Sequence, residues 1–201
     1  MIKYKAILFD FDGVLCKDYF YTNLKDSYPK VIEFINMKIF GKDGISNDWM
    51  RGKVSSSDVN KYISENTGID FEKLSDLFVE SVNNMRLEDR LLGYASAISA
   101  DTKIAIVTNN MDVFNKITIK KHSLNKVFPV IVNSCDYGIL KHDDNGRLFD
   151  IALKELGILD YAEALLIDDS KKARDVFENK GGTTFPYENY KQFESWIRRN
   201  A

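Results

Sequence analysis

The sequence has little cysteine: Cys16 and Cys135 are the only two, far apart and without a C-x-x-C spacing. That scarcity argues against a disulfide scaffold and a structural zinc site, and reads as two reduced thiols. Charge of one sign is equally scarce, since 28 Lys and Arg against 30 Asp and Glu leave a formal net charge of −2. Binding a phosphate backbone demands clustered cations, so nucleic acid is not an expected partner. The one basic cluster, Lys120-Lys121-His122, reads as a helix end facing water. No apolar run is long enough to span a membrane, and the run Ala6–Phe9 is too short for a signal peptide and ends in Asp10. A soluble, cytoplasmic protein with no membrane partner is expected. Internal repeats and low-complexity tracts are absent too.

Apolar residues make up 44% of 201, enough for one core domain and a small insert. Short apolar runs at Tyr4–Phe9, Lys103–Val107, Val130–Val132 and Ala164–Ile167 have strand length and few polar interruptions, the texture of strands covered on both faces. A weaker run, Thr183–Phe185, follows Gly181-Gly182 and predicts an edge strand. Between these runs the spacing turns helical, through Val113, Phe114 and Ile117, then Leu148, Ile151, Ala152 and Leu156 with Gly157 as a C-terminal stop. Ala173, Val176 and Phe177 mark another helix, and Phe193, Trp196 and Ile197 a last one. Strands alternating with helices predict an α/β fold, a doubly wound, Rossmann-like parallel sheet.

Residues 17–86 break that alternation with helical patterns and no convincing strand. Val31, Ile32, Ile35 and Ile39 follow Pro29, a residue suited to a first helical turn. Val59, Tyr62 and Ile63 line a second stripe, and Phe71, Leu74, Leu77 and Phe78 a third with Asp70 placed to cap it. The expectation is a small all-helical cap at 17–86 over a core made of residues 1–16 and 87–201.

Ligands in open α/β sheets bind where strands end. Three predicted strand ends carry Asp10-Phe11-Asp12-Gly13, Thr108-Asn109-Asn110 and Asp168-Asp169-Ser170, and Lys141 lies beyond the third strand. Converging carboxylates repel one another unless a cation or protons intervene. An oxygen-rich set of this kind suits Mg²⁺, and an aspartate is a competent covalent nucleophile towards phosphorus. Taken singly, Asp10-x-Asp12 reads as a solvated turn, Thr108 and Asn109 as strand-end hydrogen bonders, and Lys141 as surface charge. The ordered set is what points to chemistry.

Phe9-Asp10-Phe11-Asp12-Gly13-Val14-Leu15 resembles the first motif of the haloacid dehalogenase-like phosphatases, and Thr108, Lys141 and Asp168-Asp169 follow in the order of the other three. The resemblance spans nearly the whole chain, including a helical insert directly after the first motif. It implies Asp10 as nucleophile and Asp12 as the acid and base. It also implies Mg²⁺ held by the Asp10 side chain, the Asp12 main-chain carbonyl and Asp169, with Asp168 behind them. Thr108, Asn109 and Lys141 would hold the phosphoryl oxygens. The expected partner is a small phosphorylated metabolite, a sugar phosphate among the candidates; oligomeric state is not read from the sequence. A phosphosugar mutase shares this core, and a catalytically inactive phosphate-binding module is the rival from another class; a dehalogenase would leave Asp12 and Asp168-Asp169 as superfluous charge. Two departures stand out. His142 follows the lysine where the family commonly has proline, with Asp143–Gly146 lengthening that loop, and Ala173 stands where many members carry a further acid.

Overall fold

A computed structural model describes residues 3–200. Five strands, β1 (Ala6–Phe9), β2 (Lys103–Thr108), β3 (Val130–Asn133), β4 (Ala164–Asp168) and β5 (Thr183–Pro186), form one sheet. Their order is β3-β2-β1-β4-β5 and every pairing is parallel. The doubly wound α/β core expected from the apolar runs is the fold observed. The first strand opens at Ala6 rather than Tyr4, because its ladder partners Lys103 and Ala164 begin there. Tyr4 instead stacks on Trp196 at a ring separation of 6.5 Å.

Why β1 is uniformly apolar follows from its two neighbourhoods. Successive side chains alternate between faces. Ile7 and Phe9 join the cluster that holds Leu91, Ala95, Phe193 and Ile197. Ala6 and Leu8 join the opposite cluster, with Leu148, Phe149, Ala152 and Phe177. Each fully buried Ile, Leu or Phe contributes about 1.5–3 kcal/mol through removal from water. A polar residue at any of these positions would therefore unpick one layer.

The helices of residues 17–86 lie outside these two covers: α1 (Pro29–Phe34), continuing as a π-helical turn Ile35–Ile39, then α2 (Ser46–Met50), α3 (Ser56–Thr67) and α4 (Phe71–Asn83). Pro29 sits in the first turn of α1 as its lack of an N–H allows. Ser55 and Asp58 cap α3 reciprocally, and Asp70 accepts from the Lys73 amide at the start of α4. No strand occurs among the described residues of this stretch. Its two stems meet, with Cys16 bridged to Leu87 and the Glu88 amide donating to the Leu15 carbonyl at 2.8 Å. Its apolar stripes converge on a third cluster around Trp49, Ile63, Leu74 and Phe78, which Met111 and Val113 from beyond β2 also join.

After the insert come α5 (Asp89–Ile98), a turn Phe114–Thr118 leading into α6 (Ile119–Lys121), α7 (Ser134–Tyr137), α8 (Arg147–Glu155), α9 (Lys171–Asn179) and α10 (Tyr190–Asn200). A helix at α5 is not among the expectations from sequence, although Leu91, Tyr94, Ala95 and Ile98 recur at three- and four-residue spacing; Gly93 interrupts the stretch. No described helix is long and apolar enough to cross a membrane. From β1 the chain builds outward through β2 and β3, then returns to β4 on the other side of β1. The carboxyl ends of β1 and β4 are thus the switch point, where such sheets leave a crevice.

Candidate functional site

Asp10 follows the last residue of β1, Asp168 is the last of β4 and Asp169 the next. One carboxylate oxygen from each lies within 4.8 Å of the others. Between Asp10 and Asp168 sits Lys141, 1% exposed, its Nζ 2.6 Å from Asp10 Oδ2 and 2.7 Å from Asp168 Oδ2. The second Asp10 oxygen accepts from the Phe11 amide at 2.8 Å. The second Asp168 oxygen accepts from the Ser170 amide at the same distance. Asp168 thus has both oxygens committed to the protein, whereas Asp169 stands exposed at the rim. That contrast supports Asp169 as the acid free to reach a cation.

The loop after β1 is shaped to admit this neighbour. Gly13 has φ +78, and a Cβ there would stand 2.2 Å from Asp169 Oδ2. Only glycine satisfies both the left-handed backbone and the contact. Two more polar residues, Thr108 and Asn109, stand at the end of β2. Thr108, its last residue, is fully buried, and its Oγ1 has no hydrogen-bond partner. A buried hydroxyl without a partner costs about 1–3 kcal/mol, and Thr108 Oγ1 is spent on no other protein group. Asn109 uses its side-chain oxygen to accept from the Lys141 amide at 2.8 Å, so it fixes the lysine loop. The role of its own amide towards phosphate is untouched by that bond.

Asn110 is the residue that sequence reasoning passed over. It is 1% exposed, and its Nδ2 donates to Asp12 Oδ2 at 2.9 Å. Its Oδ1 accepts from the Met111 amide at 2.9 Å, which fixes which way the side-chain amide points. No local signal marks it, because its partner lies 98 residues away in sequence.

Burial pushes Asp10 well above the ordinary carboxylate range, and Asp168 adds to the rise against the pull of Lys141. Asp12 is pushed up to about 7, chiefly by burial, with Lys141 opposing and Asp169 adding. Burial, then Asp168, also raises Asp169. Lys141 is raised despite burial, because Asp10 and Asp168 hold its proton. One ammonium cannot balance this many carboxylates, and all the available donors are hard oxygens. The set fits a small divalent cation such as Mg²⁺, which would take Asp10, Asp169 and the Asp12 carbonyl as ligands.

A test of that electrostatic picture is thermal unfolding with EDTA or with Mg²⁺. Burial raises both Asp10 and Asp12 above the unfolded carboxylate value near pH 4, so the stabilisation tied to their protonated forms is complete below that value and declines as pH rises, that of Asp12 being lost through about 7. Asp18, held low by its bonds to Arg86, works in the opposite sense and loses its contribution only on acidification. The metal-free protein is therefore expected to melt lower at about pH 8 than at about pH 5.5, with Mg²⁺ raising Tm more at the higher pH. Equal melting at both, with or without the cation, would contradict it.

The lengthened loop after Lys141 has a use. Asp143 accepts from Arg51 of the insert at 2.7 Å and from the Leu140 amide at 2.9 Å. Arg51 is therefore engaged with the core. Its neighbours are tied down too, the Met50 carbonyl by Ser134 Oγ at 2.6 Å and Trp49 Nε1 by Asp112 at 3.2 Å. Trp49 and Trp196 pack in apolar surroundings, and Ala173 is buried under the sheet.

Comparison with known proteins agrees with this geometry. Residues 4–172 match the family model for haloacid dehalogenase-like hydrolases. The pyrimidine 5'-nucleotidase YjjG of Escherichia coli (strain K12) is 28% identical over 78 residues, an alignment covering 39% of this chain and only 34% of that enzyme. Among solved structures, a predicted HAD-like hydrolase from Porphyromonas gingivalis superposes with a TM-score of 0.78 at 16% identity, covering 98% of each chain. A HAD family enzyme from Bacteroides thetaiotaomicron, crystallised with magnesium and inorganic phosphate, gives 0.75 at 18% identity, covering 94% of this chain and 98% of that one.

Proposed function

The chain belongs to the haloacid dehalogenase-like hydrolases, and from that premise we propose that it hydrolyses small phosphate monoesters, with magnesium as cofactor and Asp10 as nucleophile. The observation that carries this reading is the meeting of Asp10, Asp168 and Asp169 within 4.8 Å around a buried lysine. The unpartnered Thr108 hydroxyl supports it independently. So do the nucleotidase among the relatives and the magnesium and phosphate bound in a structural neighbour.

Mg²⁺ on Asp10, Asp169 and the Asp12 carbonyl would screen the phosphate dianion and favour the ionised form of Asp10. Asp10 attacks phosphorus in line, forming an aspartyl-phosphate as the bond to the leaving oxygen breaks. Asp12, oriented by Asn110, gives its proton to that oxygen. Asp12 then takes a proton from water, whose oxygen attacks the phosphorus and returns Asp10 with release of inorganic phosphate. Thr108, Asn109 and Lys141 stabilise the peripheral oxygens during both transfers. A pKa of about 7 suits Asp12 to donate in one half-reaction and accept in the other. Residues 17–86 serve as a cap that keeps bulk water from the aspartyl-phosphate.

Phosphate release from acetyl phosphate and p-nitrophenyl phosphate tests the reading. Replacing Mg²⁺ by EDTA is expected to cut the rate about 100-fold or more, the loss of several kcal/mol of charge stabilisation. Undiminished release in EDTA, or none under any condition, would overturn it.

A further inference from the structure

A cavity of about 490 Å³ lies between the insert and the carboxyl edge of the sheet. Asp12 is one of its lining residues. In the proposed reaction Asp12 protonates the leaving oxygen, so whatever the phosphate is attached to must occupy this space. The volume falls within the range of small-molecule pockets, far above a packing void. What lines it therefore selects the substrate.

Three thioethers, Met50, Met85 and Met111, share the walls with Phe20, Phe40 and Ile35. Uncharged polar side chains are few, Asn36, Ser46 and the hydroxyl of Tyr19. A hexose would bring more hydroxyl groups than these walls offer partners, and each one left unbonded would cost about 1–3 kcal/mol. Charge narrows the choice further. No Lys, Arg or His lines the cavity, and its ionisable groups are Asp12 and Asp18. Asp18 is already engaged by Arg86, at 3.2 Å from both Nε and Nη2. A second phosphate or a carboxylate on the leaving group would meet carboxylates and no counter-charge. At the mouth, Tyr19 is 79% and Phe40 39% exposed, apolar surface that a flat apolar ligand would cover. Sulfur and aromatic rings together favour an aromatic guest, and flexible methionines adapt to its outline.

We propose that the substrate is a phosphate monoester of an uncharged, aromatic alcohol, seated with its ring among Met50, Met85, Met111 and Phe40. This rests on the phosphatase reading above and replaces a sugar phosphate as the expected substrate.

Primary alkyl phosphates of similar leaving-group basicity separate recognition from intrinsic reactivity. The set is 2-(2-naphthyl)ethyl phosphate, glycerol 1-phosphate and glucose 6-phosphate, with acetyl phosphate as a reporter of the core chemistry that is too small to fill the cavity. The naphthylethyl ester is expected to exceed both polyol esters in kcat/KM by at least about 30-fold. Phe40→Ser is expected to shrink that ratio about 10-fold, chiefly through KM of the aromatic ester. Acetyl phosphate turned over with the polyol esters equal or preferred would overturn the substrate assignment and leave the phosphatase standing. No turnover of any of the four with Mg²⁺ would remove both.

Discussion

Asp10→Asn is expected to lower phosphate release by about 10⁴-fold or more while the protein stays folded, because removing a covalent nucleophile leaves only binding and charge stabilisation. Asparagine is nearly isosteric; its one side-chain oxygen keeps one of the two bonds that Asp10 makes through separate oxygens, to the Phe11 amide and Lys141, and the Lys141–Asp168 pair stays in place. What it cannot do is form the acyl-phosphate. The substitution also removes a carboxylate whose ionisation burial opposes. Its metal-free melting temperature at about pH 8 should therefore match or exceed that of the wild type, so lost activity cannot be ascribed to lost structure. Rapid-quench labelling of the wild type with ³²P-phosphoester should trap acid-stable label that Asp10→Asn never acquires. Activity within ten-fold of wild type would exclude Asp10 as the attacking group.

Lys141→Met carries the largest expected effect on stability. Methionine has a similar length and fills the site without a cavity, so the change isolates charge from volume. Lys141 is 1% exposed and bridges two carboxylates that are themselves buried, Asp10 and Asp168. Without it they face each other unpaired, a loss of about 3–5 kcal/mol of the kind seen when one partner of a buried pair is removed. At about 2–4 °C per kcal/mol for a chain of this size, Tm should fall by about 6–20 °C in EDTA. Adding Asp168→Asn should recover a substantial part, since the second variant removes the repulsion that the first created. Mg²⁺ should also recover some, by standing where the ammonium's charge was. Activity should stay about 100-fold or more below wild type in either case, because the donor to the phosphoryl oxygens is gone. A Tm in EDTA unchanged from wild type would mean that the lysine is not the counter-ion the geometry makes it.

The architecture around Arg51 explains a feature that looked like an irregularity. Where related proteins commonly close the lysine loop with proline, this chain has His142 and the longer Asp143–Gly146 stretch. Asp143 uses that extra reach to hold Arg51 of the insert, and burial of its carboxylate is outweighed by the Leu140 amide and Arg51, which keep it below the ordinary range. The insert is thus tied to the same loop that carries Lys141. Arg51 is that fastening.

The sequence by itself determined the sheet and set Asp10, Asp168 and Asp169 at its strand ends. Strands covered on both faces must be apolar throughout, so Ala6–Phe9 and Ala164–Ile167 announce themselves, and the polar residues that interrupt them mark the ends where ligands bind. Helices with a buried stripe and a cap, such as α3 and α4, were equally legible, whereas α5 has a stripe but no side-chain cap at its start and a glycine within it. Tertiary structure decided the rest. It committed Asp168 rather than Asp169 to Lys141, brought Asn110 to Asp12, left Thr108 without a partner, and lined the space beside Asp12 with methionine and phenylalanine. Periodicity reports which side of an element is buried, a local property of spacing. Which distant side chain completes a hydrogen bond, and what shape remains empty between packed elements, depends on how whole elements meet, and no local pattern encodes that.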